Sequence, residues 1–291
     1  MKAKNIICFG FGQVAKNFIK KLNDQGISFK LTTTSREESR NKKFENLSYE
    51  SFQFTEEGFD ENFISKFEEA DHILISVAPI NGVDIVIKNL KNHFKSKKLK
   101  WITYLSATSV YGDHGGEWVN ENSETKPTSP NGIERLKVEK EWMKLAIKFD
   151  LPFQIFRLSG IYSNQYNILN RLKTGDAKII NKRNHFFSRI HVEDIANILS
   201  SSLYNFRKKE IYNISDNQPA PSEEVTMYGV KLLGTDKPKT IETSEIESEM
   251  LKNFYKDSKK IDNKKMKEFF NYKLKYPTYI EGLDYIFNNT I

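Results

Sequence analysis

Apolar positions in the first two-thirds of the chain follow two alternating rhythms. Short apolar runs read as buried strands: Ile6 to Cys8, Ser28 to Thr34, a weaker one at Leu47 to Phe52, His72 to Val77, Trp101 to Ser106, Phe153 to Leu158 and Ile211 to Ile214. Between them, apolar residues recur every three or four positions, which marks helices with one buried stripe. Val14, Phe18, Ile19 and Leu22 form the first such stripe, ended by Asn23 to Gly26. Phe63, Ile64 and Phe67 predict a helix over Asp60 to Glu69, and helical pattern runs from Pro79 to about Phe94. Leu136, Trp142 and Leu145 predict one over Asn131 to Phe149. Strands alternating with helices demand a parallel sheet covered on both faces, an α/β doubly wound architecture.

After Ser159 the rhythm breaks. Residues 160–188 read as a loop with a short helix near Ile168 to Leu172, and His191 to Tyr204 as a helix returning to the sheet. From Pro219 onward, short helices suggest a smaller C-terminal lobe. The expected division is a nucleotide-binding part at 1–160, rejoined by 189–215, and a substrate-binding lobe at 161–188 and 216–291. There is no internal repeat and no linker long enough to separate independent domains.

Composition narrows the class. The 291 residues are 38% hydrophobic and 13% aromatic, enough for a sizeable core. No apolar run approaches a membrane span, and the N-terminal one is too short for a signal peptide. A single cysteine, Cys8, cannot form an internal disulfide and is expected to be buried in the first strand, which fits a reduced, cytoplasmic setting. The net charge of +7 comes from interspersed lysines rather than a basic motif, so no nucleic acid is expected. The densest run, Lys95 to Lys100, reads as a solvated loop. The positive field favours anionic cofactors or substrates. No metal site is expected.

The first chemical signal is Phe9-Gly-Phe-Gly-Gln-Val-Ala15, placed between a strand and a helix. Gly10 permits the tight turn, Gly12 lets backbone approach a pyrophosphate, and Ala15 lets the helix pack closely on the strand. The helix that opens at Gln13 and Val14 offers free N–H groups to phosphate. An ordinary turn with two glycines would look the same in isolation; the strand and helix around it point to a Rossmann-like fold. About ~20 residues on, where NAD-selective folds place an acid, the chain reads Thr32-Thr-Thr-Ser-Arg36. Thr34, Ser35 and Arg36 would welcome a 2′-phosphate, so NADP is preferred and NAD is kept open. Glu37 and Glu38 argue the other way if one turns inward, and Arg36 could be a plain surface residue.

Downstream motifs carry a resemblance. Leu105-Ser-Ala-Thr-Ser-Val-Tyr-Gly112, Phe156-Arg-Leu-Ser-Gly-Ile-Tyr162, Arg189-Ile-His-Val-Glu-Asp-Ile-Ala196 and Tyr212-Asn-Ile-Ser215 occur in the order found in extended short-chain dehydrogenases/reductases. The chain therefore resembles the NAD(P)-dependent epimerase/dehydratase group over nearly its whole length. The Gly-x-Gly-x-x-Ala spacing, the loop at 110–119 and the Leu-Lys-Tyr-Pro-Thr-Tyr ending at 274–279 are more similar to its atypical branch of YeeZ-type proteins. The resemblance implies that Val77-Ala78-Pro79 lies along the adenosine side of the cofactor. Ser106, at the end of the fifth strand, is a candidate for the cofactor's edge and, like Thr108, for a relocated acid/base.

That family works with a Ser/Thr, a Tyr and a Lys. A lysine cation and the oxidised nicotinamide lower the tyrosine pKa from about ~10 so that it can act as a base. The matching positions here hold Ala107, Asn131 and Arg135. An amide is no base at neutral pH, while Arg135 keeps the charge and could hold a ribose hydroxyl or a phosphate. Thr108, Tyr111, Asn131 and Arg135 are the candidate catalytic residues, with Asp113, His114, Glu117 and Glu121 in the adjacent polar loop. Each of these is also readable as packing or as a solvated charge. His191 and Asp194 read as fixing the turn into the following helix.

Two functions stay open. One is an NAD(P)-dependent oxidoreductase or epimerase/dehydratase-like enzyme acting on a small anionic or sugar-related molecule. The other is an NADP-binding sensor or regulatory protein without catalysis. A fold kept for assembly alone is a third, weaker option. A homodimer through the 131–149 helix is compatible with each.

Overall fold

The computed structural model describes residues 3–95 and 99–290. The central part of the expected lysine loop therefore lies outside the described residues. In chain order the elements begin with β1 (Lys4–Phe9), α1 (Gln13–Asp24), β2 (Phe29–Ser35), β3 (Arg40–Phe44), β4 (Leu47–Gln53), α2 (Phe63–Glu69), β5 (His72–Ile75), α3 (Ile85–Leu90) and β6 (Trp101–Ala107). A 3-10 turn at Thr108–Tyr111 leads to β7 (Trp118–Val119), α4 (Pro130–Lys148), β8 (Phe153–Leu158), β9 (Gly160–Tyr162), α5 (Ile168–Lys173), β10 (Ile179–Asn181) and β11 (Arg189–His191). The chain ends through α6 (Val192–Ser202), β12 (Glu210–Ile214), α7 (Ser222–Leu233), β13 (Thr240–Glu242), α8 (Glu249–Phe254), β14 (Lys260–Ile261), α9 (Lys264–Phe270) and α10 (Tyr279–Thr290).

Among the described residues the main sheet runs β12-β8-β6-β5-β1-β2-β4-β3. The pairs β1–β2, β1–β5, β2–β4 and β5–β6 are parallel. The α/β doubly wound expectation therefore holds, with one departure. Arg40–Phe44 is an antiparallel edge strand, hairpin-paired to β4. Its sequence, Arg-Asn-Lys-Lys-Phe, is too polar to read as a strand, because an edge needs no continuous apolar run.

The contacts divide the chain into two units, one of Met1–Ser106, Glu134–Phe156 and Ala196–Ile211, the other of Ala107–Ile133, Arg157–Ile195 and Tyr212–Ile291. In the first, aromatic rings fill one face of the sheet. Phe9 meets Phe54 at 5.3 Å and Phe67 meets Phe94 at 5.1 Å. Phe94 in turn meets Trp142, which stacks on Phe153 at 5.5 Å. Such pairs add about 0.5–1.5 kcal/mol each beyond their burial. The Trp142 indole N–H donates to Asp84, whose other oxygen caps α3 at the Val86 and Ile87 N–H groups. Cys8 is fully buried, and burial pushes its thiol pKa up, so it is an inert core residue.

In the second unit, Tyr162, Leu169, Val225, Leu283 and Ile286 form the core between β9, α5, α7 and α10. Small parallel pairs, β11–β9, β10–β13 and β14–β7, fasten its loops. The expected polar loop at 111–130 thus contains a strand, Trp118–Val119, held by Lys260 and Ile261.

Candidate functional site

The glycine corner lies where β1, β2 and β5 end. Gly10 has φ +80°, a left-handed conformation that suits glycine. A Cβ there would sit 3.1 Å from both Ser76 Oγ and Val77 Cγ1. The Gly10 N–H donates to Thr34 Oγ1 at 3.2 Å, and Ser76 Oγ donates to the carbonyls of Phe9 and Gly10. Thr34 is thereby a buried support for the corner, while Ser35 is half-buried and Arg36 exposed at the end of β2.

Gly12 differs from Gly10. It precedes α1 with φ −81°, and a Cβ built on it meets nothing within 4 Å. No side chain caps α1 and no acidic residue stands in its first turn. Gln13 Oε1 and Ser106 Oγ are buried without a hydrogen-bond partner. An open backbone corner, uncapped helical N–H groups and unpartnered buried polar atoms fit a dinucleotide pyrophosphate and its neighbouring ribose. Val14 is buried in the α1 stripe, and Val77, Ala78 and Pro79 line the strand end beside Gly10.

Arg135 lies one turn after Asn131 on α4, so the two share a side of the helix. Asn131 is exposed. The Arg135 guanidinium donates through Nη1 to the Leu105 carbonyl at 2.9 Å. It also lies beside the buried Tyr104, whose pKa burial pushes up. In the second unit Thr108 opens the 3-10 turn, half-exposed. Tyr111 closes that turn and is fully buried. Its hydroxyl donates to Asn213 Oδ1 at 2.7 Å, and the Arg157 guanidinium stacks on its ring at 4.8 Å. Burial pushes the Tyr111 pKa up to about 12, the wrong direction for a phenolate base. These contacts give Tyr111 a packing role.

The loop charges are also engaged. Asp113 accepts from the Gly115 and Ser258 N–H groups, and Glu121 accepts from the Asn213 N–H at 2.7 Å. The His114 ring lies against the carbonyls of Tyr111 and Glu124. Glu117 is exposed. Asp194 takes the Tyr272 hydroxyl and the N–H groups of Lys275 and Tyr276, so it anchors the segment before α10 as well as standing in the first turn of α6. His191 accepts the Glu193 N–H at the start of α6, which matches the turn role expected of it.

The second unit also holds a cavity of about 380 Å³ that no motif announced. Its wall includes Tyr162, Tyr166, Asn167, Arg171, Arg189 and Ser222. Arg189 donates to the carbonyls of Phe187 and Ala220, and burial lowers its pKa against the charge of Asp216. Two guanidinium groups among tyrosines and amides suit a small anionic molecule with polar edges. Isolated polar residues scattered from 162 to 222 carry no local spacing signal, which is why sequence reading missed them.

The model of the NAD dependent epimerase/dehydratase family matches residues 9–215. The chain belongs to that family. No match was found among curated proteins. Among solved structures, a functionally unknown conserved protein from Silicibacter pomeroyi DSS is 29% identical, with 97% of each chain covered and a TM-score of 0.81. A dTDP-glucose 4,6-dehydratase from Bacillus anthracis str. Ames, in complex with NAD, is 19% identical, covering 98% of this chain and 96% of its own, with a TM-score of 0.79. A UDP-glucuronic acid 4-epimerase from Bacillus cereus, in complex with UDP-glucuronic acid and NAD, is 14% identical, covering 97% and 98%, with a TM-score of 0.77. At these identities the last two share the fold.

Proposed function

We propose that the chain is an NADP-dependent enzyme of the epimerase/dehydratase family that acts on a small anionic or sugar-related molecule. The observation that carries this reading is the corner at Gly10 and Gly12, open toward an uncapped helix. A bound nicotinamide dinucleotide supplies hydride chemistry. The N–H groups at Gln13 and Val14 would hold the pyrophosphate, and Ser35 and Arg36 would border the adenosine ribose above the Thr34 support. Val77, Ala78 and Pro79 would line the adenosine, with Ser106 at the cofactor's edge. Thr108, next along the chain, is the hydroxyl left to orient a substrate oxygen once Ala107 has removed the usual one. Asn131 would donate or accept a hydrogen bond without moving a proton.

The cavity with Arg171 and Arg189 supports an anionic substrate, as does the UDP-glucuronic acid in complex with a structural neighbour of the same fold. The single, buried Cys8 supports a cytoplasmic setting. Exposed Ile133 and Ile147, about four turns apart on one side of α4, support a homodimer through that helix.

The test is a thermal-shift titration with NADP, NADPH, NAD and NADH. A nucleotide at a hundred times its Kd should stabilise the protein by about 2.7 kcal/mol, NADPH at lower concentration than NADH. No shift with any of the four would overturn the assignment. The buried, hydrogen-bonded Tyr111 and the engaged Arg135 favour a second reading, a nucleotide-binding sensor without turnover. Carbonyl- or alcohol-dependent change in nicotinamide absorbance across a substrate panel separates the two.

A further inference from the structure

Arg40, Lys42 and Phe44 alternate along β3 and therefore share a face. Phe44 meets the ring of Phe11 at 5.5 Å, and Tyr49, paired opposite Lys42, meets it at 5.1 Å. Phe11 stands between Gly10 and Gly12, so this is the face overlain by the glycine corner. Ser51, paired opposite Arg40, has its hydroxyl 3.4 Å from that of Ser35 at the end of β2. The patch bordered by Ser35, Ser51, Arg40 and Lys42 lies at the strand end where dinucleotide-binding folds read the ribose 2′ position. One anion already stands in it. Glu37 Oε2 accepts from both Arg40 and Lys42, the latter at 2.8 Å. The two cations hold the Glu37 carboxyl below the usual carboxylate range.

We infer that Arg40 and Lys42 receive the 2′-phosphate of NADP, and that Glu37 fills its place until the phosphate arrives. This rests on the cofactor reading above and names residues that it does not. Arg40 and Glu37 are 62% and 59% exposed, so their ion pair is worth little and separates readily. A phosphate carries about twice the carboxylate's charge and three acceptor oxygens, matching the guanidinium fork. With Glu37 displaced, Arg40 and Lys42 leave the patch positive. The antiparallel hairpin is what places these cations here: β3 starts level with the end of β2 and runs away from it, so Arg40 stands opposite Ser51, whose hydroxyl lies against that of Ser35.

The experiment measures the affinity of NADPH, NADH, 2′,5′-ADP and 5′-AMP for wild type and three variants by calorimetric titration. Wild type should prefer NADPH over NADH and 2′,5′-ADP over 5′-AMP. Arg40→Ala and Lys42→Ala should each lower the NADPH-to-NADH preference about tenfold, a change of about 1.4 kcal/mol. Glu37→Gln should tighten NADPH and 2′,5′-ADP several-fold. An NADPH preference untouched by Arg40→Ala and Lys42→Ala overturns the inference and leaves the cofactor reading standing. A preference for NADH that Glu37→Gln abolishes overturns it also, and assigns Glu37 to the ribose hydroxyls. Binding of none of the four overturns the cofactor reading itself, and this inference with it.

Discussion

Arg135 Nη1 donates to the carbonyl oxygen of Leu105 at 2.9 Å, tying the first turns of α4 to the end of β6. This cation therefore serves the backbone. Arg135→Ala should cost about 1.5–3 kcal/mol of unfolding free energy, the range for a hydrogen bond to a charged donor. Arg135→Lys should recover part of it. Urea denaturation of the three proteins checks this; equal midpoints would show that the bond contributes nothing.

Tyr111→Phe removes the hydroxyl that Asn213 Oδ1 accepts inside the core. Asn213 Nδ2 would still donate to Asp262 O, but its Oδ1 would lose the donor it accepts from. Stability should fall by about 1–3 kcal/mol, with nucleotide affinity unchanged. If a substrate is found, turnover should survive the change. Its abolition in a folded Tyr111→Phe protein would return Tyr111 to the catalytic residues and exclude the sensor reading.

Gly10 and Gly12 should separate stability from binding. Gly10→Ala forces a side chain into positive φ and against Ser76 and Val77, so melting should drop by the equivalent of about 1–3 kcal/mol. Gly12→Ala adds a methyl to open space at φ −81°, so the fold should persist. Its nucleotide affinity should fall at least about tenfold, because the methyl stands where backbone must approach phosphate. Calorimetry and melting on both variants give the comparison.

Three buried groups set opposing pH slopes. Burial holds His185 and His191 down to about 4, from 6.5. Between pH 6.5 and 4 the unfolded chain binds protons that the folded one refuses, so their contribution is complete above 6.5 and is lost as pH falls through that window. The loss is at most about 1.4 kcal/mol per pH unit for each histidine, less what residual solvent removes. Asp216 runs the other way: burial pushes it up to about 8, so its folded form holds a proton through the window from 8 to 3.8 and stability rises as pH falls. Relative to wild type, His185→Phe should flatten the acid loss. Asp216→Asn should raise stability above pH 8 and steepen the loss below 6.5. Denaturation midpoints at half-unit pH steps measure both slopes.

The central strands were legible because burial on both faces leaves a continuous apolar run, as in Ile6 to Phe9 and His72 to Ile75. Their register was not, since parallel partners lie tens of residues apart. The edge strand Arg40–Phe44 escaped notice because half its residues face water and carry charge. Its alternation of Arg40, Lys42 and Phe44 is the one signal that could have revealed it.

Local chemistry alone pointed to the glycine corner and to a buried Cys8, and the resemblance implied that Ala107, Asn131 and Arg135 stand where the family has its hydroxyl, phenol and amine. Those conclusions depend on what a residue is and on its immediate neighbours along the chain. Folding decided what the polar side chains touch. Tyr111 meets Asn213, and Glu37 meets Arg40 and Lys42. A hydrogen bond or ion pair forms only within about 3–4 Å, and no rhythm of apolar and polar positions encodes which distant groups the packed backbone brings that close.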